Sequence, residues 1–288
     1  MILELNILFA FGAMLCWGIG DFLIQRSVRK IGDIEALAFI GIIGGVLLIP
    51  FIIGESDLLF SYSNLLLLIL LGVITFIVAL FNFEALKVGK LSVIDVVLEL
   101  ELPVTIILSF IFFKERLTGM QFLFISFIFM GLILIATKSF SKVNLKGVER
   151  GVLLGVIAAV GMGVVNFLTG ASSKAISPFL AVWFPWVVFT IFCLVVIIKK
   201  KDFKSFIKNA GKYKFLILGM GVFDTLAWLF FAFAVLENEI AITTAITESY
   251  PAIALILGLW LNKEKIKVHQ YIGAGVAIIA SIALAFII

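Results

Sequence analysis

The chain is built from long apolar stretches separated by short polar connectors. Each stretch runs for about 20 residues, the length an α-helix needs to cross hydrocarbon. None shows the two-residue alternation of a membrane strand. The pattern predicts ten helices, at about 5–25, 34–54, 65–86, 91–113, 119–137, 151–171, 179–198, 214–236, 240–261 and 269–288. Pro50, Pro103, Pro185 and Pro251 fall within or at the ends of these runs. Pro103 and Pro251, in the fourth and ninth helices, predict a kink or hinge in each. Gly41 with Gly45, and Gly151 with Gly155, stand at the four-residue spacing that lets helices approach closely in lipid.

The pattern is also written twice. Lys114-Glu115 and Gln121 recur as Lys263-Glu264 and Gln270, an offset of 149 that also carries Glu99 onto Glu248, Ala85 onto Ala234 and Gly72 onto Gly221. Nearer the start of each copy the offset is 145: Gly18, Asp21 and Ser27 meet Gly163, Asn166 and Ser172. The division is a first five-helix repeat over 1–140, a connecting loop over 141–150 and a second repeat over 151–288. With an odd number of crossings per copy, the second copy must sit upside down. The predicted fold is therefore an all-α membrane protein of ten transmembrane helices in two inverted repeats. Many secondary transporters are built this way around a cavity at the bilayer midplane.

Composition narrows the picture. Of 288 residues, 63% are hydrophobic and 14% charged, so lipid must be the solvent and no separate soluble domain fits. The net charge of +4 is not a nucleic-acid footprint, because the Lys and Arg sit in connectors beside apolar runs. Odd-numbered loops carry 19 of them and even-numbered loops 3. A positive-inside bias then puts the odd loops in the cytoplasm and both termini outside, in a multi-pass protein of the plasma or inner cell membrane. The first ten residues have no positive n-region, and no cleavable signal peptide is expected. Cys16 and Cys193 lie inside apolar runs and read as small hydrophobes. His269 sits at a loop–helix boundary, and no metal site or cofactor is expected.

The residues that can carry chemistry are acids inside apolar helices, because a carboxylate at mid-membrane costs several kcal/mol unless paired, hydrated or protonated. They are Asp21, Asp95, Glu99, Glu101, Asp224 and Glu248. Glu84 also qualifies formally, but three residues before Lys87 it can equally well reach the interface. Asp95 and Glu99 share a helix face, as do their repeat partners Thr244 and Glu248. Glu101, two residues on, points about 200° away and faces something else. Trp17 lies one turn from Asp21, and Trp228 one turn from Asp224. An indole beside a carboxylate suits an amine or quaternary cation. Asn82 and Thr75 extend a polar stripe on the third helix. Such acids can also serve only to lock helices together, with Gln25, Asn166, Thr243, Thr244 and Thr247 as partners. Trp183 and Trp186, near Pro185, read as packing or belt residues. Lys114-Glu115 and Lys263-Glu264 read as local interfacial pairs.

Trp17-Gly18, Ala85-Leu86, Pro103 with Lys114-Glu115-Arg116-Leu117, and Pro251 with Lys263-Glu264 together resemble the ten-helix EamA-type members of the drug/metabolite transporter superfamily. The second copy departs from the pattern with Glu264-Lys265-Ile266. The resemblance spans the whole chain and implies a basket of helices with a central cavity and alternating access. Related four-helix multidrug transporters use an acid in their first helix for protons and cationic drugs. Asp21 occupies the first helix here, without that family's surrounding motif.

The expected function is secondary active transport of small metabolites or amine-bearing compounds, as proton-coupled export. The substrate-binding candidates are Trp17, Asp21, Asn82, Asp95, Glu99, Asn166, Asp224, Trp228, Thr244 and Glu248, with Glu99, Glu248 and Asp21 for proton coupling. The partners are a small-molecule substrate and the lipid bilayer, with a homodimer left open and no nucleic acid. The alternative is a lipid-carrier translocator or accessory membrane subunit without ion coupling, although acids at its centre would repel an anionic carrier. An enzyme is not expected, since no HExxH or GxSxG motif is present; nor is there a GxxxxGK[ST] loop for ATP.

Overall fold

A computed structural model describes residues 5–88, 97–137, 150–262 and 266–287. Among these, every regular element is helical. The first half contains α1 (Leu5–Ile31), α2 (Asp33–Ile52), a 3-10 stretch (Ile53–Phe60), α3 (Tyr62–Val88), α4 (Glu101–Phe112) and α5 (Gly119–Ala136). The second contains α6 (Arg150–Ala175), α7 (Pro178–Lys199), α8 (Phe203–Lys212), α9 (Lys214–Glu237), α10 (Ile240–Thr247), α11 (Tyr250–Asn262) and α12 (Val268–Ala285). Nine helical segments among the described residues are long and apolar enough to span a membrane, with α10 and α11 counting as one; α4 is a shorter apolar helix.

The packing follows the repeat. α1 lies against α9, and its counterpart α6 lies against α3. α1 meets α11 as α6 meets α4, and α2 meets α9 as α7 meets α3. α2 with α7, and α5 with α12, pair directly across the halves. These contacts survive exchange of the two copies, whereas α9 packs more closely on α6 and α7 than its counterpart α3 does on α1 and α2. Close approach depends on glycine: a Cβ on Gly72 would stand 2.8 Å from Val188, and one on the equivalent Gly221 would stand 2.6 Å from Ile43. In α2 the glycine spacing works differently from the expectation. Gly41 and Gly44 face Thr190 and Trp186, whereas Gly45 has open space beside it and offers its carbonyl to Trp183 Nε1 at 2.9 Å.

The recurring glutamines start the last helix of each half. Gln121 Oε1 accepts from the Thr118 N–H at 2.8 Å, and Gln270 Oε1 accepts from the Lys267 N–H at 3.1 Å. His269 meets the Thr137 carbonyl at 2.6 Å. Glu115 corrects a sequence expectation. It does not form a local pair with Lys114. Its two oxygens accept from the Ile240 and Ala241 N–H groups, at 2.8 and 3.0 Å, and cap α10 of the other half. Lys263 and Glu264 lie outside the described residues. Glu84 is half-buried and lies 3.9 Å from the exposed Arg150, in keeping with an interfacial place.

Candidate functional site

The fourth and ninth apolar runs are not the continuous kinked helices their hydropathy predicts. Both are broken. A proline inside a helix lacks an N–H and clashes with the carbonyl four residues back, but in the first turn neither cost arises. Pro103 is the third residue of α4 and Pro251 the second of α11, so each proline marks a helix start. Just upstream the chain closes into tight turns. The Ser249 N–H reaches the Ile246 carbonyl at 3.2 Å and the Ala252 N–H reaches the Ser249 carbonyl at 3.1 Å; in the first half Leu100 reaches Val97 at 3.1 Å. Glu99 and Glu248 occupy these two turns. Glu101 and Tyr250, themselves an offset-149 pair, open the two restarted helices.

Glycines bring the neighbouring helices onto these starts. A Cβ on Gly163 would stand 2.7 Å from Val104 and 2.8 Å from the Glu101 carbonyl. One on Gly18 would stand 2.6 Å from Ile253 and 3.2 Å from the Tyr250 carbonyl. Val104 and Ile253 are repeat partners, so the same joint is built twice. Thr105 Oγ1 ties one of them, donating toward the Glu101 and Gly163 carbonyls at 3.0 and 3.1 Å. Ser249 ties the other break to α12 through Ser281, 2.6 Å away.

The acids converge where the joints meet. Glu248 is buried and accepts from Asn166 Nδ2 at 3.0 Å. It also shares a side-chain hydrogen bond with Glu101 of the other half. Two carboxyls can share a hydrogen bond only if one carries the proton. One carboxyl from each half thus meets the other at a place where a proton can be exchanged. The Tyr250 hydroxyl donates to Asp21, and Asp21 lies close enough to Asp224 for their charges to interact. Gly20 packs beside Asp224, where even a Cβ would make an ordinary contact at 3.6 Å from the Asp224 backbone nitrogen. Glu99 joins electrostatically, acting on Glu101 and Tyr250. Asn166, Asp224 and Glu248 are buried, and Asp21, Glu101 and Tyr250 are half-buried.

An aromatic wall flanks the acids. Trp17 and Trp228 meet edge to face with centroids 5.0 Å apart, Trp186 meets Trp228 at 5.9 Å, and Trp17 lies 6.2 Å from Tyr250. Spacing predicted an indole beside an acid in each of two helices. The structure merges them into a single wall, because α1 and α9 pack against each other.

Other expectations fare differently. Glu101 does not face away: the break at Leu100 resets the helical phase and turns it toward Glu248. Asp95 lies outside the described residues. Thr244 and Thr243 are buried with their hydroxyls unpartnered, so they do not satisfy the acids. Thr247 bonds the Thr244 carbonyl at 3.1 Å. The Asn82 side-chain oxygen is buried and likewise unpartnered, and Thr75 bonds back to Leu71. Tyr250 was missed, whereas Trp186 is the packing residue its place near Pro185 suggested, buried against Phe189 and Trp228. The repeat offset pairs Tyr250 with Glu101 and could have flagged it. Among the described residues, no three His, Cys, Asp or Glu are grouped to hold a metal ion.

The EamA-like transporter family model matches the sequence twice, over residues 5–137 and 149–286. No curated protein matches it. A solved crystal structure superposes with a TM-score of 0.74 over 99% of both chains at 14% identity, a likeness of fold. With two consecutive matches covering nearly its whole length, the chain belongs to the EamA-like transporter family, within the drug/metabolite transporter superfamily.

Proposed function

We propose that the chain is a secondary transporter that exchanges protons for a small amine-bearing metabolite by alternating access. The observation that carries this reading is the meeting of the Glu101 and Glu248 carboxyls, one from each half, at the two helix breaks. Broken helices at the centre of a repeat pair are where transporters of this build place substrate and coupling ions. Asp21, Asp224 and the indoles of Trp17 and Trp228 supply the negative charge and ring faces that favour a cation. In this reading the apolar run containing α4 completes ten crossings. The halves are inverted, both termini lie outside, the membrane is the plasma membrane and the direction is export. An anionic lipid carrier, the other candidate cargo, would meet acids along this path.

The test is transport in proteoliposomes under an imposed pH gradient, with amines, amino acids and sugars as candidate substrates. Glu248→Gln and Glu101→Gln are expected to abolish pH-driven accumulation while leaving the protein inserted and folded. Unimpaired pH-driven transport by both variants would remove the pair from coupling. Trp228→Leu is expected to weaken a cationic substrate roughly tenfold and a neutral analogue less, since a desolvated cation–π contact is worth on the order of 2 kcal/mol. An unchanged cation-to-neutral ratio means that Trp228 only packs.

A further inference from the structure

The connector after α7 is a helix, and its faces differ sharply. Turning about 100° per residue, α8 presents in order Asn209, Phe206, Ala210, Phe203, Ile207, Lys204, Lys208 and Lys212. The first two grip the protein: Asn209 Nδ2 donates to Glu35 at 2.8 Å, and Phe206, 4% exposed, stacks on Phe39 at 4.2 Å with the rings within 9° of parallel. Next come two large apolar side chains that nothing covers, Phe203 at 48% and Ile207 at 57% exposure. The three lysines follow, all exposed. Lys199, Lys200, Lys201 and Lys214 crowd the two ends of the helix.

A helix in solution would gain nothing from exposing Phe203 and Ile207 beside a lysine row. A helix lying along a membrane surface would gain from both, with the apolar pair among acyl chains and the lysines level with the headgroups. The neighbours put α8 at that depth, because it sits between the ends of two membrane-length helices, α7 and α9. The repeat supplies a contrast. The equivalent connector of the first half, Ile53–Phe60, carries Glu55 and Asp57 and no basic residue.

We propose that α8 is an interfacial helix that binds anionic phospholipid headgroups along Lys204, Lys208 and Lys212. Through Phe206–Phe39 and Asn209–Glu35 it fastens α2 of the first half to the membrane surface. The acidic groups nearby, Asp33, Glu35 and Asp202, line a separate cleft of about 430 Å³ between the α1–α2 turn and the end of α7. Lys200 also lines that cleft, but three carboxylates outweigh one ammonium, which disfavours phosphate there and leaves the lysine face as the headgroup site.

The full-length protein in neutral detergent is titrated with phosphatidylglycerol, and with phosphatidylcholine as control, while its melting temperature is followed. Phosphatidylglycerol is expected to raise the midpoint saturably and in a salt-sensitive way, and phosphatidylcholine is not. Lys204→Gln, Lys208→Gln and Lys212→Gln together are expected to lower the apparent phosphatidylglycerol affinity on the order of 100-fold. The three Arg replacements are expected to keep it. An environment-sensitive fluorophore on Ile207→Cys should report an apolar setting in anionic bilayers. Equal responses to the two lipids, or an undiminished response in the triple Gln variant, would overturn the proposal.

Discussion

Glu115 and Glu239 show how a single side chain can join the halves. Glu115 comes from the first half and closes the start of α10 in the second, and Glu239 immediately precedes that start with one carboxylate oxygen buried and unpartnered. The Lys174 ammonium donates to the Asn238 carbonyl at 2.8 Å, and Asn6 bonds the Asn238 side chain at 3.0 Å. One end of α1, α6 and α10 and the segment after α4 are thereby gathered at one point. Burial holds the Glu239 carboxyl above its ordinary value, with the Glu115 carboxylate adding to the effect. The Arg116 backbone and Lys174 pull the other way. A carboxyl raised in the folded state takes up a proton more readily there than in the unfolded chain. Its stabilising contribution is present below the unfolded value and is lost as pH rises through the folded one. Glu239→Gln is therefore expected to melt above the parent protein at neutral pH, with the advantage vanishing below about pH 4. Melting curves at both pH values decide it; a gain that persists in acid would assign the effect to something other than charge.

At the scale of elements, the joints depend on how closely α1 and α6 approach the restarted helices. Gly18 and Gly163 allow it: a methyl group there would meet the β-carbons of Ile253 and Val104 at 2.6 and 2.7 Å, with a backbone carbonyl just behind each. Backbone cannot move aside as a flexible side chain can. Gly163→Ala is expected to destabilise by about 1–3 kcal/mol through overpacking, with Gly18→Ala behaving alike because the joint is repeated. Gly45→Ala is the control: open space surrounds it, and alanine favours a helix over glycine by up to about 1 kcal/mol. Denaturation of the three purified variants should place Gly45→Ala at or above the parent and the other two below it. Equal stabilities would mean that the joints relax at no cost.

For the whole molecule, the two-fold exchange of packing partners conflicts with the distribution of charge. The principal helix contacts are matched between the halves, but the lysines are not. Only one copy carries a basic helix after its second span; the other carries Glu55 and Asp57 at that place. Charge, unlike shape, can select an orientation during insertion. A cysteine at Ser205 is expected to resist membrane-impermeant labelling in intact cells, and one at Asp57 to react. Reversed labelling would invert the topology, and equal labelling would mean dual insertion.

The apolar runs, the two offsets and the intramembrane acids were legible in the sequence because each is a local pattern. Length against bilayer thickness determines a span, and a copied motif needs no fold to be seen. The repeat even pairs Glu101 with Tyr250. Tertiary structure decided the rest. The breaks at Glu99 and Glu248 leave hydropathy unchanged, since an apolar run reads the same whether or not its hydrogen bonds are interrupted. They reset the helical phase, which is why Glu101 defied its spacing and met Glu248. Glu115 found backbone N–H groups 125 residues away, a partner invisible to any local rule. Trp17 and Trp228 became one wall because α1 and α9 pack together. Contacts between distant segments depend on how helices pack, and a pattern read along the chain carries no record of that.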